Sequence, residues 1–215
     1  MMKNALVFLL AMATTACTQS FQNINSTLEE AIWGFEDVNL SKEEIKRLPY
    51  ASAYVRINDG QQIFMVLGYA DQSAFKQPVL KWISADNAMI ATINGRVVKT
   101  LNLPEANLAS VNFEADTLPK FMPSVWQATY DWQEQYRYGF EASGIIEAVG
   151  TETITTPIWH QHTTIWQEHV KFDGINSAIN NTFWVNDSGQ VIKSIQYIGP
   201  DMTKVEIQFL KFFSE

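Results

Sequence analysis

A single cysteine in 215 residues, Cys17, excludes an intramolecular disulfide and any metal or redox motif built on paired thiols. Basic residues are scarce as well. Fifteen Lys and Arg stand against 23 Asp and Glu, for a net charge of −8 and an isoelectric point near 4.9. A surface of that sign repels phosphate backbones, which excludes nucleic acid as a partner and disfavours tight electrostatic docking on anionic lipid. Beyond the first sixteen residues no stretch approaches eighteen apolar residues, so no later segment reads as a membrane-spanning helix. There is no Walker sequence, no Gly-x-Gly-x-x-Gly and no Gly-x-Ser-x-Gly elbow, and Ser143-Gly144 is only a turn-like pair.

Aromatic residues, by contrast, make up 13% of the chain, with seven Trp. Rings pack well on a pleated surface, so the excess favours β structure, and it also suits surfaces that stack on sugars.

The N-terminus carries Lys3, an apolar run from Ala5 to Ala13 and small residues before Cys17. Residues 1–16 therefore read as a secretory signal peptide, too short for a permanent span. Thr15-Ala16-Cys17 matches the end of a bacterial lipobox, although Thr14 stands where a larger aliphatic residue is usual. Cys17 is thus expected to become the acylated (palmitate-bearing) first residue of the mature chain; the plainer alternative is a signal peptide with an incidental cysteine. Three acyl chains exceed the two signals that stable anchoring requires. Thr18, rather than Asp, points to the outer membrane, with the protein facing the periplasm. Loss of Lys3 with the leader takes the charge to −9.

Residues 17–25 read as a polar tether and 26–215 as a single β-rich domain. Thr27 to Glu30 and Ser41 to Glu44 each fit a capping box, predicting short helices over 27–33 and 41–48, the second stopped by Pro49. Ile32, Trp33, Ile45 and Leu48 are expected to face an edge or open end of the sheet that follows.

Tyr50 to Pro104 alternates short apolar runs with Asn58-Asp59-Gly60, Ala85-Asp86-Asn87 and Asn94-Gly95 turns, predicting strands near 52–58, 61–69, 79–84, 88–93 and 96–101. Three blocks in it, Tyr50 to Ile57, Lys81 to Asp86 and Asn94 to Thr100 followed by Leu101 and Leu103, resemble the group 4 capsule lipoprotein family of YjbF/GfcB type. The similarity runs from about Cys17 to the C-terminus. It implies a lipid-anchored, non-cytoplasmic accessory protein for making or exporting an exopolysaccharide, and it supplies no catalytic residues.

After Pro104 a loose connection with one helical turn is expected as far as Ser124. Trp126, Ala128, Tyr130, Trp132, Glu134, Tyr136, Tyr138 and Phe140 then alternate with polar residues, predicting one long strand, or two joined by a bend near Gln133. Further strands are expected near 141–149, 152–159, 162–172, 181–186, 190–198 and 203–213. No helical period interrupts them, so the fold class is mainly β: an antiparallel sandwich or open barrel built from hairpins, with two short N-terminal helices.

Candidate chemistry is sparse. His160 and His162 share a strand face and His169 follows, yet no carboxylate pattern completes a metal site. Asp131 and Glu134 fall on opposite faces of the strand, which does not suit a glycosidase pair. Trp82, Arg96 and Trp132 are the candidate glycan contacts. The alternative is that the Trp and Tyr rows form the core, and that Arg56, Arg96 and Lys99 pair with Asp59 or Asp86 on the solvated face. No cofactor and no catalytic constellation is expected. Three functions remain: an accessory lipoprotein binding exopolysaccharide or export-machinery proteins, a carrier whose curved sheet cradles acyl chains beneath 125–140, and a polysaccharide-modifying enzyme. The last requires two or more of Asp86, Asp131, Glu134, His160 and His162 to converge.

Overall fold

The computed structural model describes residues 36–75, 77–114 and 118–214. Cys17 and the signal peptide, tether and helix expected over 1–16, 17–25 and 27–33 lie outside them. A compact unit begins at Asp37.

Twelve antiparallel strands form one sheet: β1 (Ser52–Ile57), β2 (Ile63–Asp71), β3 (Val79–Ile83), β4 (Met89–Ile93), β5 (Arg96–Leu101), β6 (Leu108–Phe113), β7 (Ser124–Trp132), β8 (Arg137–Thr155), β9 (His160–Phe172), β10 (Ser177–Asn186), β11 (Val191–Tyr197) and β12 (Lys204–Lys211). Their order is β5-β4-β3-β2-β1-β12-β11-β10-β9-β8-β7-β6. Every strand lies beside its sequence neighbour except at β5 and β6, and the ring is completed by the first strand pairing with the last. The result is a nearly closed up-and-down barrel; a sandwich of two sheets does not form.

The five strands expected between 52 and 101 are present, because their turns carry the residues the geometry needs. Asn58 and Asp59 have φ of 49° and 60°, and Asn94 and Gly95 of 46° and 76°. These are the paired left-handed conformations of a two-residue hairpin loop. β5 and β6 meet without a backbone ladder. Instead Leu108 N donates to Thr100 Oγ1 at 2.9 Å, while the Asn107 side chain accepts from Leu103 N at 3.0 Å and donates to Leu103 O at 3.2 Å.

In the middle of the chain one expectation fails, and of another only the two-strand form holds, its bend near Gln133 being a full reversal. The connection after Pro104 contains strand β6, whose Leu108 and Val111 are buried. The long alternation from Trp126 is a hairpin that reverses direction, with a 3-10 turn at Glu134–Tyr136 and Tyr130 opposite Phe140. Trp126, Ala128, Tyr130 and Trp132 point inward, but Tyr136 and Tyr138 beyond the turn are 85% and 57% exposed. Period-two patterning alone cannot reveal a reversal made without Gly or Pro. The strands expected at 141–149 and 152–159 are one strand, β8, with a bulge between Ala148 and Gly150, and Ser143-Gly144 lies inside it.

One helix, α1 (Lys42–Arg47), lies among the described residues, and it starts with the expected capping box. Glu44 N donates to Ser41 Oγ at 3.3 Å, and Ser41 N donates to Glu44 Oε2 at 2.8 Å. Rather than sealing an edge, α1 lies on the outer face of β1 and β12, where Ile45 packs with Tyr54 and Leu210. Leu40 N donates to the Tyr54 hydroxyl at 2.7 Å.

The barrel is filled. Trp82, Trp132, Phe172, Phe183, Met65, Ile90 and Leu108 are fully enclosed, and Trp132 and Tyr130 both contact the Phe172 ring, at 5.6 and 5.1 Å between centroids. At the centre sits an ion pair. Arg96 on β5 is 3% exposed and Glu168 on β9 is 1% exposed, and Arg96 Nη1 donates to Glu168 Oε1 at 2.5 Å. The carboxylate also accepts from Trp126 Nε1 at 3.0 Å and Asn181 Nδ2 at 3.0 Å. The guanidinium lies over the Phe183 ring at 4.7 Å and the Phe121 ring at 5.2 Å, and its Nε and Nη2 make no hydrogen bond among the described residues. The ring faces thus offset part of the cost of enclosing the cation.

Candidate functional site

A recess lies where the β3–β4–β5 hairpins meet β12 and the C-terminal tail. Alternation along β3 turns Leu80 and Trp82 to one side. Trp82 Nε1 donates to Thr92 Oγ1 on β4 at 2.9 Å, which locks the indole, and its ring meets Phe209 at 5.3 Å. Phe209 in turn meets Phe212 at 6.3 Å. The β4–β5 turn folds over β11 so closely that a Cβ at Gly95 would sit 2.5 Å from Val191 Cβ. These elements enclose a cavity of about 280 Å³ with a floor of Leu80, Trp82, Phe209 and Phe212 and a rim of Gln77, Asn94 and Gln190. A second hollow of about 360 Å³, lined by Gln72, Ser73 and Asp71, shares Gln77, Pro78 and Phe213 with the first, so the two form one groove.

An apolar ring floor with a few convergent amides and hydroxyls is the usual make-up of a small-molecule site. Among the described residues the first hollow has no ionisable lining residue, and Asp71 in the second is ion-paired with Lys81. Such a surface can stack on the C–H face of a sugar and exchange hydrogen bonds with its hydroxyls.

The residues singled out in the sequence divide accordingly. Trp82 lines the groove, as a largely buried floor. Arg96 and Trp132 are enclosed in the core: Arg96 is held by Glu168, and Trp132 Nε1 donates to Ile198 O at 2.7 Å. Neither presents a face to a polymer, because the inward side of the β7 and β5 pleats is the packed interior. Arg56 pairs with Asp37 rather than with Asp59 or Asp86; Asp59 holds Lys204, and Asp86 accepts from Ser84. Lys99 is exposed on β5. The Arg56 guanidinium and Gln62 N–H hold the Asp37 carboxyl below the usual carboxylate range.

The enzyme candidates are held by separate partners. Asp131 accepts from Ser110 Oγ at 2.7 Å and Gly139 N at 2.8 Å, whereas Glu134 accepts from Asn107 N at 2.8 Å. Asp86 sits in the β3–β4 turn and His160 and His162 at the start of β9. Among the described residues no cluster of three or more His, Cys, Asp and Glu could hold a metal. The acyl-chain carrier fares no better, since Trp126, Ala128, Tyr130 and Trp132 of β7 belong to the filled core. The residues missed in sequence are Gln77, Gln190, Phe209, Phe212 and Phe213. The aromatic cluster Phe209-Leu210-Lys211-Phe212-Phe213, continuing past the end of a strand, was the available signal.

Comparison with known proteins agrees with this architecture. Residues 25–210 match the family described as group 4 capsule polysaccharide lipoprotein gfcB, YjbF. The chain is 32% identical to the "uncharacterized lipoprotein GfcB" of Escherichia coli K12, over 98% of this chain and 99% of that one. It is 31% identical to the "uncharacterized lipoprotein YjbF" of the same organism, over 98% of each. The crystal structure of the hypothetical lipoprotein YmcC from E. coli K12 superposes with a TM-score of 0.70 at 32% identity, covering 88% of this chain and 96% of the other. The protein therefore belongs to the group 4 capsule polysaccharide lipoprotein family.

Proposed function

We propose that this protein is a lipid-anchored, non-catalytic accessory component of exopolysaccharide or capsule export that engages the polymer in the Trp82 groove. The observation that carries the reading is a groove of rings and amides on a chain of a capsule-lipoprotein family. Cys17 supplies the anchor, and Thr18 keeps the protein at the outer membrane, facing the periplasm. Stacking on Phe212 and Phe213 is tolerant of sugar identity, while Gln77, Asn94 and Gln190 select for hydroxyl-bearing rings. Contacts of this kind are individually weak, which suits a polymer that must be passed on to export-machinery proteins rather than retained.

The test compares secreted with periplasmic polymer in a deletion strain complemented by the intact gene, by Cys17→Ala, and by Gln190→Ala with Phe213→Ala. Phe213 and Gln190 lie at the rim, so their loss should spare the fold. The expected result is restored secretion with the intact gene only, and at least tenfold weaker binding of purified polymer to the groove variant. Normal secretion and unchanged binding by a groove variant present at normal levels would refute the assignment.

A further inference from the structure

β8 outruns its neighbour. The β7 ladder ends where Ser124 faces Ile146, but pairing with β9 continues until Thr155 faces His160. Along Glu147–Thr155 the strand is bonded on the β9 side, with no ladder partner on the other among the described residues; Gln208 Nε2 of β12 reaches it only at Thr155 O, at 3.5 Å. Residues 147–153 are all exposed, so both faces of the strand and its edge meet solvent. Thr163 Oγ1 on β9 donates to Glu152 O at 2.7 Å, which places that carbonyl on the β9 side. By the alternation of an antiparallel ladder, Thr151 and Thr153 direct their N–H and C=O groups outward.

An open edge of this length is a template for another strand, and edges that are not used are commonly blunted by Lys or Pro. Here the sequence is Glu-Ala-Val-Gly-Thr-Glu-Thr-Ile-Thr, rich in strand-forming residues and with neither. The Ala148/Gly150 bulge disturbs only its beginning.

We propose that the β8 edge at Thr151 and Thr153 receives an extended, basic segment of a different protein as a thirteenth strand. Charge chooses the occupant. The only ionisable side chains of Glu147–Thr155 are Glu147 and Glu152; Glu152 accepts from Trp184 Nε1 at 2.6 Å. A second copy would bring four carboxylates onto one ribbon and join two chains of net charge −8, and like charges facing across strands repel. A segment with Lys or Arg at alternate positions would face these carboxylates while its backbone satisfies the outward groups of Thr151 and Thr153.

The probe is a capped, fluorescently labelled octapeptide, Thr-Lys-Val-Lys-Thr-Lys-Val-Thr, titrated against the full lipoprotein in detergent micelles. Its counterpart carries Glu for every Lys. Saturable binding of the basic peptide, none of the acidic one, and amide-exchange protection confined to 147–155 are expected. Thr153→Pro removes an outward N–H and no β9 bond, and should weaken binding at least tenfold. Glu147→Lys combined with Glu152→Gln, which leaves the edge N–H groups intact, should also weaken the basic peptide and abolish the preference between the two. Absence of saturable binding, equal binding to the Thr153→Pro and charge variants, or a dimer dissolved by Thr153→Pro would each overturn the proposal.

Discussion

Replacing Glu168 by Gln would leave the central Arg96 guanidinium enclosed at 3% exposure with no counter-charge. The amide keeps the volume and one acceptor oxygen, but Trp126 Nε1 and Asn181 Nδ2 each donate to a different oxygen of the carboxylate, so one of the three bonds is lost as well. Removing one member of a buried ion pair costs about 3–5 kcal/mol. For a chain of this size that lowers Tm by roughly 6–20 °C. Arg96→Met should cost a similar amount, because Glu168 would then be the stranded charge. The double variant removes both charges and fills the space between Phe121 and Phe183 with a flexible apolar chain, so it should be far more stable than the sum of the single effects, by a coupling of several kcal/mol. Urea unfolding of the mature chain carrying Cys17→Ser, followed by tryptophan fluorescence, measures all four corners of the cycle. Additive costs, or a Glu168→Gln penalty below about 1 kcal/mol, would show that the two groups are not electrostatically dependent on each other.

Gly144 lies opposite Trp126, and an added Cβ would fall 2.1 Å from the indole Cε2; Gly144→Ala should cost about 2 kcal/mol or more by displacing the ring from Glu168, read as a lower urea midpoint. Burial raises the Tyr130 phenol above its ordinary value of 10.0, with the Glu168 charge adding to the rise. The folded state therefore keeps that proton after the unfolded chain has lost it. Stability is unaffected below pH 10 and falls above it by up to about 1.4 kcal/mol per pH unit; Tyr130→Phe should flatten that alkaline decline in Tm. Ser41→Ala removes the cap of α1 and should cost about 1 kcal/mol, measurable by the same melts, without altering polymer binding.

Much of the barrel was legible because local chemistry and global pairing coincide. Asn-Asp-Gly and Asn-Gly turns dictate two-residue loops, so the strands β1 to β5 could be read, and Ser41 with Glu44 marked α1. β6 was hidden because its ladder has one partner only and Asn107 caps it where no Gly or Pro marks a boundary. The β7–β8 reversal was hidden for the same reason: Tyr136 adopts a φ of 53°, a conformation its identity does not advertise. The candidate site was less visible. Trp82 was found because an indole in an alternating strand is conspicuous, yet Gln77, Gln190 and Phe213 meet only through the closure of strands far apart in sequence. Arg96 misled for a physical reason. An arginine in a strand is ordinarily solvated, and the Glu168 that draws it inward lies four strands later in the chain.

The pairing of β1 with β12 sets a condition on how the molecule is made. Ala53 waits for Phe209, about 150 residues downstream, so the nascent chain carries a first strand paired only with β2 until β12 is available. Contacts so distant in sequence form late and slowly. A product cut short before β12 would expose the edges of both β1 and β11 at once, the surfaces that aggregate or attract proteases most readily. The seam therefore acts as a check on synthesis: β1 hides its second edge only once β12 has been made.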